Sequence, residues 1–132
     1  MVKGWCFNMS EGKLFKCAYN HCLHQGEKVR ASESVIVGNK HYHWDCAATK
    51  QEIEEIRNVY YERIDNTASF PILSKVLNDL VFKYGLEIDY IRFAVNYYAD
   101  YKIKIKSPFT LLYLRNNEYM RRKWKRDKLD VR

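Results

Sequence analysis

The chain places Cys17 and Cys22 with four residues between them, then, after a gap of twenty, His43 and Cys46 with two between them. Two pairs of soft donors, one on a turn and one at the start of a helix, are how a short chain wraps a tetrahedral zinc ion. Thiolate and imidazole ligands favour Zn²⁺ over Mg²⁺ or Ca²⁺. Four protein ligands leave no coordination position for water, so the ion implied is structural and not catalytic. Spacing alone leaves substitutes open: His21, His24 or His41 for His43, and Cys6 for one thiol. Cys6, between Trp5 and Phe7, otherwise reads as a packed free thiol. The competing reading is a set of buried side chains with no ion, because Cys is among the most often buried residue types.

Other chemistries find less support. His41-Tyr42-His43 has the form of the histidine pair in rolling-circle nicking nucleases (the HUH-like class), with Tyr60 or Tyr61 to supply a nucleophile. Cys46 competes for His43, however, and no acidic cluster surrounds the pair to hold Mg²⁺ or Mn²⁺. The zinc-deaminase signature needs Glu two residues after its His, where this chain has Asp45. No Ser-His-Asp arrangement, phosphate-binding glycine-rich loop or HExxH is visible. The expectation is a non-enzymatic protein with no catalytic residue.

The period of the hydrophobic pattern changes after Cys46. Before it, Val35-Ile36-Val37, Gly38-Asn39 and His41-Tyr42 read as a β-hairpin, and Trp5, Phe7, Leu14 and Phe15 as short extended pieces. After it, Ile53, Ile56, Tyr60 and Ile64 recur at three and four residues, predicting a helix over about 47–64. A second helix starts near Pro71 and stops at Gly85, with Leu73, Val76, Leu77, Leu80 and Val81 as its apolar stripe. A third runs over about 87–101 on Ile88, Ile91, Val95 and Tyr98. Ser107-Pro108 opens a fourth that reaches about Lys128, with a break near Asn116-Asn117. The fold class expected is α+β: a zinc-binding β-hairpin module over residues 1–48 and a helical bundle over 49–132.

Charge is polarised along the chain. The formal net charge is +7, yet residues 1–100 carry 12 Lys and Arg against 13 Asp and Glu. The excess lies in residues 101–132, with 11 against 3. Arg115, Arg121, Arg122, Lys123, Lys125, Arg126 and Lys128 fall along the last helix, with Trp124 and Tyr119 interleaved and Lys102, Lys104 and Lys106 just before it. Dense positive charge attracts phosphate through counterion release, and an aromatic ring can stack on an exposed base. The bland alternative is a solvated helix docked by Tyr119, Met120 and Trp124. Residues 51–100 carry 5 Lys and Arg against 9 Asp and Glu, a surface suited to a basic protein partner. No apolar stretch is long enough to span a bilayer, and the N-terminus has no apolar core of an export signal. Free or metal-bound thiols, a cytoplasmic location and no membrane partner are expected.

Residues 13 to 48 resemble the zinc modules of the LIM and poly(ADP-ribose) polymerase finger type, a treble-clef-like arrangement with three cysteines and one histidine. The residues that carry the likeness are Cys17, Cys22, Gly26, Arg30, Tyr42, His43, Trp44 and Cys46. The departure is the first pair, with four intervening residues where those families usually have two. Residues 80 to 125 are similar, at Tyr90, Ala94, Tyr113, Leu114 and Trp124-Lys125, to the helical domains of DnaD-like helicase loaders. In size and style the chain is also similar to small bacteriophage accessory proteins. These likenesses imply Zn²⁺ held by Cys17, Cys22, His43 and Cys46, and DNA more than RNA as partner. They also imply, alternatively, a protein-interaction module that acts on a host enzyme, in host-cell cytoplasm if phage-encoded.

Overall fold

The computed structural model describes residues 13–130, the side chain of Asp130 excepted. Trp5, Cys6 and Phe7, and the readings placed on them, lie outside the described residues. The chain is mixed α and β, and it divides into two compact units between Gln51 and Glu52.

The first unit is built on two short antiparallel ladders. Strand β1 (Leu14–Phe15) pairs with β2 (Val29–Arg30), Leu14 opposite Arg30 and Phe15 opposite Val29. Strands β3 (Val35–Val37) and β4 (Lys40–Tyr42) form the expected hairpin, with Val35 opposite Tyr42 and Val37 opposite Lys40. Gly38 adopts φ 63° at the first turn position, a conformation that a two-residue hairpin loop needs and a side chain resists. The β1–β2 pairing was not anticipated, because two residues per strand leave no alternation to read. Helix α1 (Trp44–Arg63) begins three residues before the position expected from its apolar stripe. The His43 carbonyl accepts from the Ala47 N–H at 2.9 Å, and Asp45 in the first turn stands near the positive end of the helix dipole.

The second unit holds the larger core. From α1 it takes Ile53, Ile56 and Tyr60, the stripe expected there, with Ile64 at its margin. Helix α2 (Phe70–Asn78) is capped by the Ser69 side chain, which accepts from the Ile72 N–H, and Pro71 sits in the first turn. Leu73, Val76, Leu77 and Leu80 are buried. Past Asn78 the chain widens into a π turn over Asp79–Lys83, where the Tyr84 N–H reaches back to the Asp79 carbonyl. Gly85, at φ 69°, then lets the Leu86 N–H bond the Leu80 carbonyl at 2.9 Å and ends the helix. Helix α3 (Ile88–Asp100) buries Tyr90, Ile91, Ala94, Val95 and Tyr98.

The fourth expected helix is a correction. Ser107 does accept from the Phe109 N–H, but the segment Pro108–Asn116 is a 3₁₀ helix. Pro108, Leu111 and Leu114 are its buried residues, spaced by three, which is the repeat of a helix with three residues per turn. Asn117 separates it from α4 (Glu118–Asp130), its side chain accepting from the Met120 N–H at 3.0 Å. Met120 and Trp124, one helical turn apart, dock α4 onto the core. Tyr90 ties these pieces together: its phenol donates to the Leu114 carbonyl at 3.0 Å, and its ring lies 5.3 Å from that of Trp124.

Truncating Leu77 to Ala should cost about 2–5 kcal/mol by loss of buried contacts. Tyr90→Phe should cost about 1 kcal/mol, because the Leu114 carbonyl loses the nearer of its two donors, the other being the Asn117 N–H. Urea unfolding monitored by circular dichroism, read as a shift of midpoint at constant slope, checks both.

Candidate metal centre

The four sequence-selected donors converge. The ligating atoms of Cys17, Cys22, His43 and Cys46 all lie within 4.8 Å of one another, an arrangement that can hold a metal ion. Cys22 Sγ is 3.5 Å from His43 Nδ1 and 3.8 Å from Cys46 Sγ, and Cys46 Sγ is 3.7 Å from His43 Nδ1. The sulfur separation is far beyond the roughly 2.05 Å of a disulfide, and the three cysteines are free thiols. Cys17 and Cys46 are buried with Tyr42, and Ala18, Tyr19, Cys22 and Ala47 lie around them. That is the whole of this apolar cluster among the described residues.

Local backbone geometry explains the unusual first spacing. A turn at Asn20-His21 lies between the two thiols, and a second, tighter one follows Cys22. Gln25 (φ 57°) and Gly26 (φ 86°) both take the left-handed region, and the Gln25 N–H bonds the Cys22 carbonyl at 3.3 Å. This curl aims backbone N–H groups at sulfur. Those of Gly26 and His24 point to Cys22, and that of Leu23 donates to Cys46 Sγ at 3.3 Å. Hydrogen bonds from N–H to sulfur stabilise thiolate over thiol. On the other side of the site, the His43 carbonyl starts α1 and Cys46 sits in its first turn, so one helix start fixes two donors.

The sulfurs titrate in opposite directions. Burial opposes the Cys22 thiolate, but the N–H groups of Gly26 and His24, with Cys46 and Cys17 behind them, outweigh it and hold its pKa below the ordinary thiol value. Burial pushes the Cys46 thiol up to about 12, and the neighbouring Cys22 and Cys17 add to that shift. Adjacent sulfurs cannot all carry negative charge unaided, whereas a divalent cation among them reverses that balance.

Of the substitute ligands, none in the described residues belongs to this set. His41 stacks on Phe15 with ring centres 3.7 Å apart, and its Nδ1 is 2.8 Å from Ser34 Oγ. His21 lies edge-on to Tyr19. His24 pairs through Nε2 with both Asp45 oxygens at 2.8 and 2.9 Å, and its ring centre is 4.2 Å from that of His43. The hydrogen bond to Asp45 raises the His24 pKa, and the same bond lowers that of Asp45. The pair clasps the turn to the helix start beside the donors. Sequence spacing did not reveal it.

The nuclease reading meets two obstacles. His41 and His43 are committed to different partners, as above. Tyr60 is fully buried in the second unit, its hydroxyl without a hydrogen-bond partner among the described residues, and burial pushes its pKa up to about 12. The Tyr61 hydroxyl is likewise buried and unpartnered among the described residues. Neither phenol is presented as a nucleophile.

The basic residues of the second unit are sorted by the fold. Arg122, Lys125, Arg126 and Lys128 are exposed on α4, and Arg115 is exposed before it. Arg121 is half-buried over the Tyr90 ring and 3.5 Å from Glu87, and Lys123 stands between the Tyr97 and Tyr119 rings. Trp124 requires a correction: it is 5% exposed, one face in the core and Lys128 Nζ 4.5 Å from its ring. Its indole is not open to a base. Tyr119, read as a docking residue in the bland alternative, is exposed.

Replacing Cys17, Cys22 or Cys46 with Ser, or His43 with Ala, should reduce bound metal from one equivalent toward none. His21→Ala and His41→Ala should leave it at one. Elemental analysis of each purified variant after dialysis against a weak chelator reads the difference. Acidification should release the ion, because its ligands must be deprotonated to bind.

No helix among the described residues is long and apolar enough to cross a membrane. Compared with known proteins, the chain matches no family model, no curated protein and no solved structure.

Proposed function

We propose that the chain is a zinc-stabilised, non-enzymatic protein that binds nucleic acid through its basic second unit. Bond lengths support zinc as the ion. With Zn–S of about 2.3 Å and Zn–N of about 2.0 Å, a tetrahedral site has sulfur–sulfur edges near 3.8 Å and sulfur–nitrogen edges near 3.6 Å. The separations of 3.8, 3.5 and 3.7 Å among Cys22, Cys46 and His43 fit those edges. Three thiols and an imidazole also match zinc in softness. With Cys17 as fourth ligand no position remains for substrate or water, so the ion's work is to hold the fold.

The observation that carries nucleic-acid binding is the outward face of α4. Arg122, Lys125 and Arg126 project away from the buried pair Met120 and Trp124, and no acidic residue lies between Arg121 and Arg126 in the chain. Lys102, Lys104 and Lys106 are exposed in the same unit, on the connector whose Ile105 is buried. Such a face binds phosphate with an affinity that falls steeply with salt. DNA is the partner proposed first, in keeping with the faint likeness to helicase loaders.

A second reading, as a protein-interaction module, has its own observation. The first unit exposes Ile36 and Val37 on its hairpin and Trp44, 73% exposed, at its helix start. Exposed aromatic and branched side chains are common at protein interfaces. On that reading Trp44→Ala abolishes capture of a protein partner from host extract after nuclease treatment, and leaves DNA affinity unchanged.

For the leading reading, fluorescence anisotropy with labelled DNA at low and moderate salt is the test. Replacing Arg122, Lys125 and Arg126 together with Glu should weaken binding at least tenfold and lower the salt slope by about 0.7–0.9 per lost phosphate contact. Binding that ignores salt, or survives the triple reversal, removes the proposal.

A further inference from the structure

We propose that the groove between α3 and α4 is a site for single-stranded nucleic acid, with bases stacked on Tyr97 and Tyr101 and phosphates held by Lys123 and Arg126. This rests on the nucleic-acid reading above and gives it a place and a strand preference. Phe93, Tyr97 and Tyr101 stand at intervals of four residues, the first two on one face of α3 and Tyr101 capping its C-terminal end. Ring centres are 6.1 Å apart between Phe93 and Tyr97 and 4.5 Å apart between Tyr97 and Tyr101. The three rings line one wall of a groove of about 430 Å³, and Lys123, Arg126 and Asp127 line the other. Tyr101 is 67% exposed, a large aromatic face in a unit that buries Tyr60, Tyr90 and Trp124.

Details of the groove fit a base more than a generic anion. The Tyr97 hydroxyl is hydrogen-bonded to that of Tyr119, which Lys123 also approaches, so Tyr119 stands at the same edge of the groove. Lys123 Nζ lies 5.8 Å from the Tyr97 ring centre, where it reaches a phosphate flanking a stacked base. Two acids also face the groove. Asp100 is ion-paired with Arg63, which leaves Asp127 against the two cations. Arg122 and Lys125 extend the positive face beyond it.

The packed rings select against a duplex. Tyr97 and Tyr101 lie 4.5 Å apart, too close to admit a base between them, so a base stacks on the outer face of the pair. Stacked bases in a duplex strand are about 3.4 Å apart with their faces covered, so none is open to these rings. An unstacked single strand offers one. Aromatic stacking tolerates any sequence, because every base has a π face.

The test uses the full zinc-loaded chain with a labelled oligothymidylate of about 15 nucleotides, a length within one such module's reach, and a duplex of equal length. Tyr97→Leu combined with Tyr101→Leu should weaken the single strand at least tenfold and the duplex by less than about twofold. Tyr97→Phe should bind like the parent, because the ring and not the hydroxyl stacks. Circular dichroism melting confirms that the double variant folds, and Tyr101→Leu alone serves where it does not. Single-strand affinity that survives loss of both rings overturns the site while leaving α4 as a phosphate-binding face. Equal competition by polyglutamate of matching charge also overturns it, in favour of an acidic protein partner. Absence of salt-sensitive binding to either oligonucleotide overturns both this site and the reading it rests on.

Discussion

Three sulfurs and one imidazole nitrogen meet in a unit with little else to hold it. Besides Cys17 and Cys46, its buried apolar residues among those described are Val29 and Tyr42. Its ladders are two and three residues long, and an isolated pair of strands is marginal in water. Without a cation the donors also conflict, since backbone N–H groups favour a thiolate at Cys22 while burial, with the neighbouring sulfurs, keeps Cys46 protonated. The proposed zinc ion would resolve both problems, because structural zinc contributes on the order of 10–16 kcal/mol in small fingers and needs all three sulfurs deprotonated. The positions of β1 to β4 and the start of α1 then follow from where four donors must converge. The His24–Asp45 pair restrains the same two segments from outside.

How much of this was legible in the sequence depends on the range of the interaction involved. Gly38, Ser69 with Pro71, and Gly85 act on their immediate neighbours, and each marks the turn or helix end that its chemistry demands. The donor pairs were legible because ligand spacing is itself a local pattern. Which histidine joins them was not, since His41 is withdrawn by Ser34 and Phe15, and the latter is twenty-six positions away. The turn after Cys22 was hidden for another reason: Gln25 is a residue with no preference for φ above zero, held there by its neighbours. In the second unit the stripe of three residues from Pro108 to Leu114 was in plain view. It was read with a repeat of 3.6 and so as part of an α-helix.

Charge was legible as a total and misleading as a surface. Seven basic residues mark the segment from Arg115 to Lys128, but several are engaged by the fold. Arg121 covers Tyr90, Arg115 covers Tyr84, and Lys128 covers Trp124, each within 4.5 Å of a ring centre. A cation over an aromatic face screens the ring from water and is itself held by the ring's quadrupole. These three side chains help to seal the core, at some expense to their freedom to seek phosphate. The electrostatic face that remains is narrower, centred on Arg122, Lys125 and Arg126.

The same division runs through the aromatic residues and explains why Trp124 is an unsuitable base-stacking group. Spaced four residues after Met120, it belongs to the inner face of α4, where its basic neighbours obscure a core position. The exposed aromatic arises instead at the end of α3, where Tyr101 follows the half-buried Tyr97 and the buried Tyr98. A helix that turns 100° per residue must separate adjacent positions in this way. Tyr97 and Tyr98 are therefore near neighbours in the chain with different fates: Tyr98 is buried, and Tyr97 packs at the edge of the core with Lys123 Nζ 5.8 Å from its ring centre.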